Sequence, residues 1–316
     1  MKPLDLTALT APLEELHDCS ICSRECHADR FSGKLGWCRS DASFNIASIC
    51  IHRGEEPAIS GKEGIINIFF SHCNLQCLYC QNHQISANHV SRSTYRMDLP
   101  EVIRQIAGYL DQGIPRVGFV SPSHFIPHVR VIIAAVKAMG YDPVWIYNTN
   151  GFDKMESLRG LEGLIDVYLP DLKYSDPALA RDYSGAAGYP ETAARALKEM
   201  FRQKGAALIT GDDDTAVSGI IVRHLVLPGA VENSIGVLKF LAEELSPKIH
   251  VSLMAQYYPT RPVAGHPTLG RSVTEAEYRQ VVDAMEALGM YHGWIQEFDS
   301  SDFYRPDFDQ DHPFEM

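Results

Sequence analysis

Most of this chain alternates between short β-branched segments and longer amphipathic ones, and this alternation restricts the fold more than any other feature. Segments rich in Val, Ile and aromatic residues predict six strands, at 64–71, 116–120, 144–148, 166–169, 219–227 and 250–255. Apolar residues at helical spacing predict helices at 100–112, 127–139, 191–204, 232–244 and 274–288. The alternation predicts an α/β fold with a parallel sheet, either doubly wound or a barrel. Because six strand–helix units are too few for a closed eight-stranded barrel, we expect an open partial TIM barrel, (β/α)6.

Two stretches lie outside this alternation. We expect residues 1–63 to form an N-terminal cysteine-rich metal-binding segment, and residues 64–298 to form the barrel. Residues 299–316 are an acidic, aromatic tail. The sequence leaves two alternatives open for it, an arm docked across the open side of the barrel or a frayed terminus.

Charge and composition narrow the class of protein. The net charge of −12 argues against a general nucleic-acid binder, whose affinity rests on clustered Lys and Arg. No apolar run approaches the roughly 20 residues needed to cross a bilayer, and acidic residues interrupt any signal-like pattern near the N-terminus. We therefore expect a cytoplasmic protein that binds neither nucleic acid nor membrane, and whose clustered cysteines bind metal rather than form disulfides.

Three cysteines directly follow the first predicted strand. Cys73, Cys77 and Cys80 have the spacing C-x3-C-x2-C, which leaves a four-ligand metal site one ligand short. Three thiolates on one loop can hold three irons of a [4Fe–4S] cluster and leave the fourth iron open to a small molecule. A zinc site completed by His72 or His83 is the alternative.

Four more cysteines lie near the N-terminus, with the spacing C-x2-C-x3-C-x11-C: Cys19, Cys22, Cys26 and Cys38. Gly33 and Gly36 permit a tight return before the last of them. Four thiolates complete a ligand shell, which suits zinc or an auxiliary iron–sulfur cluster. Reduced thiols without a metal are the third alternative.

Polar residues follow the predicted strands at their carboxyl ends, where ligands bind in parallel α/β folds. The candidate positions are Ser121 and Ser123 after the second strand, Asn148 and Asn150 at the third, Asp171 and Lys173 after the fourth, and Gln256 after the sixth. This placement predicts a binding site at one end of the sheet.

Longer motifs add a family resemblance. They are Cys-Ser-Ile-Cys-Ser-Arg-Glu-Cys from Cys19, Glu-Glu-Pro-Ala-Ile-Ser-Gly from Glu55, Cys-Asn-Leu-Gln-Cys-Leu-Tyr-Cys-Gln-Asn from Cys73, Tyr-Leu-Pro-Asp-Leu-Lys-Tyr from Tyr168, Arg-His-Leu-Val-Leu-Pro-Gly from Arg223 and Gly-Trp-Ile-Gln from Gly293. With them the chain resembles radical S-adenosylmethionine (SAM) proteins similar to pyruvate formate-lyase activating enzymes, in a branch with an N-terminal four-cysteine segment. The resemblance covers nearly the whole chain.

The resemblance implies an oxidoreductase with two cofactors, a [4Fe–4S] cluster on Cys73, Cys77 and Cys80, and SAM chelated by its open iron. In that family an electron from the cluster cleaves SAM to methionine and a 5′-deoxyadenosyl radical, which abstracts hydrogen from the substrate. A low-potential electron donor such as flavodoxin or ferredoxin is implied as a partner.

Matched positions also imply roles for single residues in SAM binding. Tyr79 lies against the adenine, and Ser121 and Ser123 occupy the site that meets the methionyl amino group. Asp171 and Lys173 contact SAM, with a surface ion pair as the alternative.

Other residues at the strand ends keep two interpretations. Asn148 and Asn150 either reach the ribose or make a turn, and Gln256 is assigned to the same cofactor site. His124 is either a substrate contact or a core histidine.

Two positions depart from the family pattern. His72 replaces a glycine often found before the first cysteine. Ser121-Pro122-Ser123 replaces Gly-Gly-Glu, so that hydroxyls or backbone carbonyls are left to meet the amino group.

Several functions fit these features. The leading hypothesis is a radical SAM enzyme, either an activase for a glycyl radical enzyme or a stand-alone enzyme that modifies a small molecule. A hypothesis of a different class is a non-catalytic scaffold with zinc at both cysteine sets, which predicts a colourless protein. An electron carrier with two clusters would have no use for the polar residues at the strand ends.

Overall fold

The computed structural model describes residues 6–90, 95–298, 305–310 and 312–314. Their main element is a sheet, and its strands are β1 (Phe44–His52), β2 (Ile65–Phe70), β3 (Arg96–Met97), β4 (Arg116–Val120), β5 (Val144–Thr149), β6 (Val167–Pro170), β7 (Ile209–Thr210), β8 (Ala216–Leu225), β9 (His250–Met254) and β10 (Gly293–Ile295). All six predicted strands are present, with ends shifted by up to three residues.

The strand order follows the chain except at β3 and β7. Across the sheet it is β10-β9-β8-β6-β5-β4-β2-β1-β3, and β7 pairs with β8. From β2 to β10 the neighbours on this path are parallel. A doubly wound sheet would reverse its order at a switch point, and this one does not between β2 and β10. The winding is therefore that of a barrel, and the predicted partial TIM barrel is confirmed.

One helix precedes the first strand, and the others lie between successive strands. They are α1 (Leu6–Thr10), α2 (Pro57–Ser60), α3 (His83–Ser86), α4 (Leu99–Leu110), α5 (Ile126–Ala138), α6 (Met155–Arg159), α7 (Pro177–Ser184), α8 (Tyr189–Lys204), α9 (Val231–Phe240) and α10 (Glu275–Ala287). The Asp98 side chain caps α4 by accepting a hydrogen bond from the Glu101 N–H at 2.8 Å, and a capping box of Thr274 and Glu277 starts α10. Such caps satisfy amide groups that the first helical turn leaves free. No helix in the described part of the chain is long and apolar enough to cross a bilayer.

The central strands are buried on both faces. Every residue of β2, β4 and β6 is buried, as expected for parallel strands covered by helices. The apolar sides of α4 and α5, including Val102, Ile106 and Val129, belong to the same core. Each such side chain contributes about 1.5–3 kcal/mol when fully buried.

Some elements do not show in the sequence pattern. β1 lies within the N-terminal segment 1–63 and pairs antiparallel with β2, with Ile49 opposite Ile68. The short elements β3, β7, β10 and α6 contain two to five residues, too few for a hydrophobic period to be read. The N-terminal segment therefore supplies a strand to the sheet of the barrel.

Part of the C-terminal tail packs on the barrel. Phe308 is buried, with its ring centroid 5.1 Å from that of Phe69. The ring of Phe314 lies 4.0 Å from that of His52, and the Phe308 N–H donates to the Gln84 side chain at 3.0 Å. For residues 305–310 and 312–314, the docked arm is therefore the correct alternative. Residues 299–304 lie outside the described residues.

Candidate active site

The loop after β2 carries the three cysteines into the interior, where each sulfur accepts a side-chain hydrogen bond. The pairs are Asn150 Nδ2 to Cys73 Sγ at 3.3 Å, Ser184 Oγ to Cys77 Sγ at 3.0 Å, and Ser86 Oγ to Cys80 Sγ at 3.2 Å. The donors come from the end of β5, from α7 and from α3. Ser86 and Ser184 carry no signal in the sequence, because serine is common at helix ends.

Burial sets the protonation of these thiols. It raises the pKa of Cys73 to about 12 and that of Cys77 to about 11. The pKa of Cys80 is also raised, again mainly by burial. Because metals bind thiolates, metal binding here must release protons.

The three cysteines line a cavity of about 190 Å³ at the carboxyl ends of the strands. Six of the residues predicted to bind SAM line the same cavity: Tyr79, Ser121, Asn148, Asp171, Lys173 and Gln256. The loops after five different strands thus meet here, as expected of a parallel barrel. We call this space the cysteine cavity; the role of each lining residue in SAM binding stays a prediction.

Lys173 forms an ion pair at the wall of the cysteine cavity. Its Nζ lies 2.5 Å from Asp171 Oδ2, and the two side chains are 18% and 22% exposed. Burial lowers the pKa of Lys173, but Asp171 and Cys77 outweigh it, so the pKa is raised overall. The predicted Asp171–Lys173 pair therefore exists, and it lies inside the cavity rather than on the surface.

A chain of hydroxyl groups joins Tyr79 to the cysteines. The Tyr79 and Tyr174 hydroxyls are 2.7 Å apart, and the Tyr174 hydroxyl is 2.7 Å from Ser184 Oγ. Ser184 in turn donates to Cys77 Sγ. The Tyr79 ring is buried, and this network fixes its position at the cavity wall.

Ser123 does not line the cysteine cavity, contrary to the sequence prediction. It is buried, with Oγ 3.0 Å from Thr149 Oγ1. The reason is local: Ser121 adopts a left-handed φ of 53°, and the chain then turns into a short 3-10 helix at Pro122–His124. A left-handed φ is uncommon for a residue other than glycine.

His72 and His124 are engaged in the interior. The His72 ring places Nε2 3.1 Å from the Val90 carbonyl and Nδ1 3.4 Å from Ser40 Oγ. His124 is 1% exposed and pairs with the Ser71 carbonyl at 3.1 Å, so its interpretation as a core histidine is correct. Within the described ranges, no three Cys, His, Asp or Glu side chains are arranged to share one metal ion.

The four N-terminal cysteines also lie together. Burial is the main cause that raises the pKa of Cys22 to about 12; a backbone hydrogen bond at Arg24 lowers it, and the charges of Cys38, Cys19 and Cys26 contribute to the rise. An added Cβ at Gly36 would lie 2.8 Å from Cys26 Sγ. The glycine is therefore needed for the tight return before the last cysteine, as the sequence predicts.

A second cavity, of about 280 Å³, adjoins the first; we call it the second chamber. Seven residues line both spaces: Gln81, Asn82, Val120, Asn148, Arg223, Met254 and Gln256. Pro306 and Phe314 from the tail also line the second chamber. The docked tail thus forms part of its wall.

Two carboxylates hold Arg223 at the junction of the two cavities. Arg223 Nε donates to Glu56 Oε1 at 2.8 Å, and Nη2 donates to Glu55 and Glu56. Burial raises the pKa of Glu55, but Arg223 outweighs it and brings the pKa to about 2. The Glu55 and Arg223 motifs of the sequence therefore meet across the barrel.

Comparison with known proteins places the chain in a family. Residues 67–227 match the model of the radical SAM superfamily. The protein belongs to the radical SAM superfamily. It is also 24% identical to the uncharacterized protein MJ0674 of Methanocaldococcus jannaschii, over 87% of this chain and 75% of that one.

Two solved structures are among the similar ones. SuiB of Streptococcus suis bound to S-adenosylmethionine has a TM-score of 0.49 and 13% identity, over 72% of this chain and 48% of SuiB. The FeFe-hydrogenase maturase HydG of Carboxydothermus hydrogenoformans has a TM-score of 0.48 and 15% identity, over 92% of this chain and 64% of HydG. This radical SAM chain thus spans less than two thirds of either solved chain.

The residues present fit the cofactors that the radical SAM superfamily implies, a [4Fe–4S] cluster and SAM. One buried thiol, Cys73, and two half-buried ones, Cys77 and Cys80, share one loop, and each sulfur has a hydrogen-bond donor, a feature that tunes iron–sulfur sites. The cysteine cavity extends beyond the thiols toward polar groups at the strand ends. Cys73, Cys77 and Cys80 would hold the cluster, and the cavity would receive SAM.

Proposed function

We propose that this protein cleaves SAM reductively and directs the resulting radical to a substrate in the second chamber. The observation that carries the proposal is the direct junction between the cysteine cavity and the second chamber, with seven shared lining residues. When bound, the cluster supplies the electron that splits SAM into methionine and a 5′-deoxyadenosyl radical. A low-potential donor, flavodoxin or ferredoxin, is proposed as the source of that electron.

The residues of this chain bind and position the cluster and SAM. The three thiols hold the cluster, and the Lys173 ammonium offers a positive charge to the SAM carboxylate. Tyr79 is held by its hydroxyl network as a flat surface for the adenine. The docked tail, through Pro306 and Phe314, limits the entry of water to the second chamber.

We favour a small molecule as the substrate. At about 280 Å³, the second chamber is close to the lower end of the range for small-molecule pockets, roughly 300–1,000 Å³, and the tail forms one wall. The second candidate is the glycine loop of a glycyl radical enzyme. It is favoured by the amide side chain of Asn82 in the wall, because an amide group can pair with a peptide backbone.

Anaerobic reconstitution followed by iron, sulfide and zinc analysis tests the central proposal. We expect a brown protein that forms 5′-deoxyadenosine from SAM and dithionite, and an inactive Cys77→Ala variant. A colourless protein with zinc on the three-cysteine loop would instead support the scaffold hypothesis. A variant in which Cys73, Cys77 and Cys80 are all replaced reports on the N-terminal cysteines alone, where we propose a second metal site that holds zinc or an iron–sulfur cluster.

Two fractions of a cell extract from the source organism distinguish the substrate candidates. A small-molecule substrate predicts that the low-molecular-mass fraction accelerates 5′-deoxyadenosine formation. A glycyl radical enzyme predicts that the protein fraction does so. A Phe314→Ala variant should lose the first effect, because the tail forms part of the chamber wall, while an exposed Phe31→Ala variant serves as the control.

A further inference from the structure

Arg24 lies between the two sets of cysteines. It belongs to the N-terminal segment, two residues after Cys22, yet it binds the backbone around the three-cysteine loop. Its Nε donates to the Asn74 carbonyl at 2.9 Å, and its Nη1 donates to the Gly185 carbonyl at 3.1 Å. Asn74 follows Cys73 directly, and Gly185 follows the serine that donates to Cys77 Sγ.

Aromatic rings enclose the guanidinium group. Its Cζ is 4.0 Å from the ring centroid of Trp37 and 5.1 Å from that of Phe152, distances at which cation–π attraction acts. Asn88 connects the same region, since its Nδ2 donates to the carbonyls of Trp37 and Cys73. The guanidinium is therefore held in a defined position rather than being free in solvent.

The charge of Arg24 lies between the two sets of thiols. Arg24 follows Cys22 by two residues in the N-terminal segment, and its guanidinium binds the carbonyl of Asn74, the residue next to Cys73. Nη2 is buried and has no hydrogen-bond partner among the described residues. This leaves one donor uncommitted in the space between the two sets.

We propose that Arg24 is a positioning residue that raises the reduction potential of the cluster on Cys73, Cys77 and Cys80, and so links that cluster to the N-terminal cysteine segment. Reduction adds one negative charge to the cluster, and a fixed positive charge nearby stabilises the reduced form. The two carbonyl contacts hold the charge close to the loop. The inference rests on the proposed function, because it requires the cluster to be present.

An EPR-monitored redox titration of the reconstituted protein tests this. The radical SAM cluster is identified by the change in its signal when SAM is added. We expect Arg24→Gln to lower the equilibrium constant for one-electron reduction by about tenfold, as for loss of a partly buried charge, which corresponds to a potential about 59 mV more negative. Arg24→Lys, which keeps the charge, should stay within about twofold of wild type.

A matched control is Arg104→Gln, because Arg104 is exposed and pairs with Glu101 within one helix; its potential should not change. An unchanged potential in Arg24→Gln would overturn the inference. If Arg24→Gln does not retain the cluster, the Arg24→Lys variant decides. A tenfold drop in its equilibrium constant for reduction, despite the retained charge, would also overturn the inference. Wild-type protein without iron would contradict the proposed function itself, whereas a loaded wild type with insensitive variants contradicts only the role of Arg24.

Discussion

Replacing Lys173 by Met tests how the cysteine cavity recognises SAM. The change keeps most of the side-chain volume and removes the charge. Lys173 is 18% exposed and sits 2.5 Å from Asp171, so its ammonium is held at the cavity wall rather than moving in solvent. We expect Lys173→Met to weaken SAM binding without changing the cluster content.

The size of the effect follows from the burial of the pair. A hydrogen bond to a charged group contributes about 1.5–3 kcal/mol, and every 1.4 kcal/mol is about tenfold in affinity. The dissociation constant should therefore rise about ten- to a hundredfold. Part of this loss comes from Asp171, whose carboxylate would be left without its partner and would repel the SAM carboxylate. The double variant Asp171→Asn/Lys173→Met should thus bind SAM better than Lys173→Met alone.

Anaerobic equilibrium dialysis with SAM, at matched iron content, measures these constants. Lys198→Met is the control, because Lys198 forms a comparable pair with Glu244 at 2.9 Å while 51% exposed; it should bind SAM as wild type does. An unchanged dissociation constant in Lys173→Met would remove Lys173 from the SAM site. In that case the pair with Asp171 is structural, and its loss should lower the stability of the fold, because the Asp171 carboxylate would be left largely buried without its partner.

Three further predictions concern the metals and pH. Cys77→Ala should abolish both iron binding at the loop and 5′-deoxyadenosine formation, as measured by iron analysis and chromatography; retained cleavage would contradict the assignment. Cys22→Ala should remove the metal of the N-terminal set and lower the melting temperature, with SAM cleavage retained; loss of cleavage with the first cluster intact would make the segment a redox element instead. Burial lowers the pKa of His124 and His128 to about 3 and that of His224 to about 4, from the usual 6.5. Because the unfolded chain takes up these protons first, each histidine should cost about 1.4 kcal/mol of stability for every pH unit below 6.5, until its folded pKa is reached. Urea unfolding between pH 7 and 5 measures this, and a flat profile would refute it.

The sequence by itself determined the features that depend on local order. The strands and the longer helices are visible because hydrophobic periodicity is a property of neighbouring residues. The three-cysteine site was recognisable because all three of its proposed metal ligands lie within one loop. The polar residues after the strands were found because the carboxyl ends of parallel strands meet at one end of the sheet.

The tertiary structure alone decided which distant groups meet. Ser184 reaches Cys77, and Glu55 reaches Arg223 across 168 positions of the chain. Neither contact produces a periodic pattern in the sequence. Ser123 shows the opposite case, a predicted site residue that does not reach the site. Because Ser121 adopts a left-handed conformation, the Ser123 side chain lies in the core rather than in the cysteine cavity.

The N-terminal segment shows the same limit on a larger scale. Its cysteine spacing predicts a separate metal site, but only the folded chain shows that Arg24 contacts Asn74 and that β1 joins the sheet of the barrel. Spacing describes the ligands within a segment. Where that segment docks is decided by packing and hydrogen bonding between residues that the sequence holds far apart.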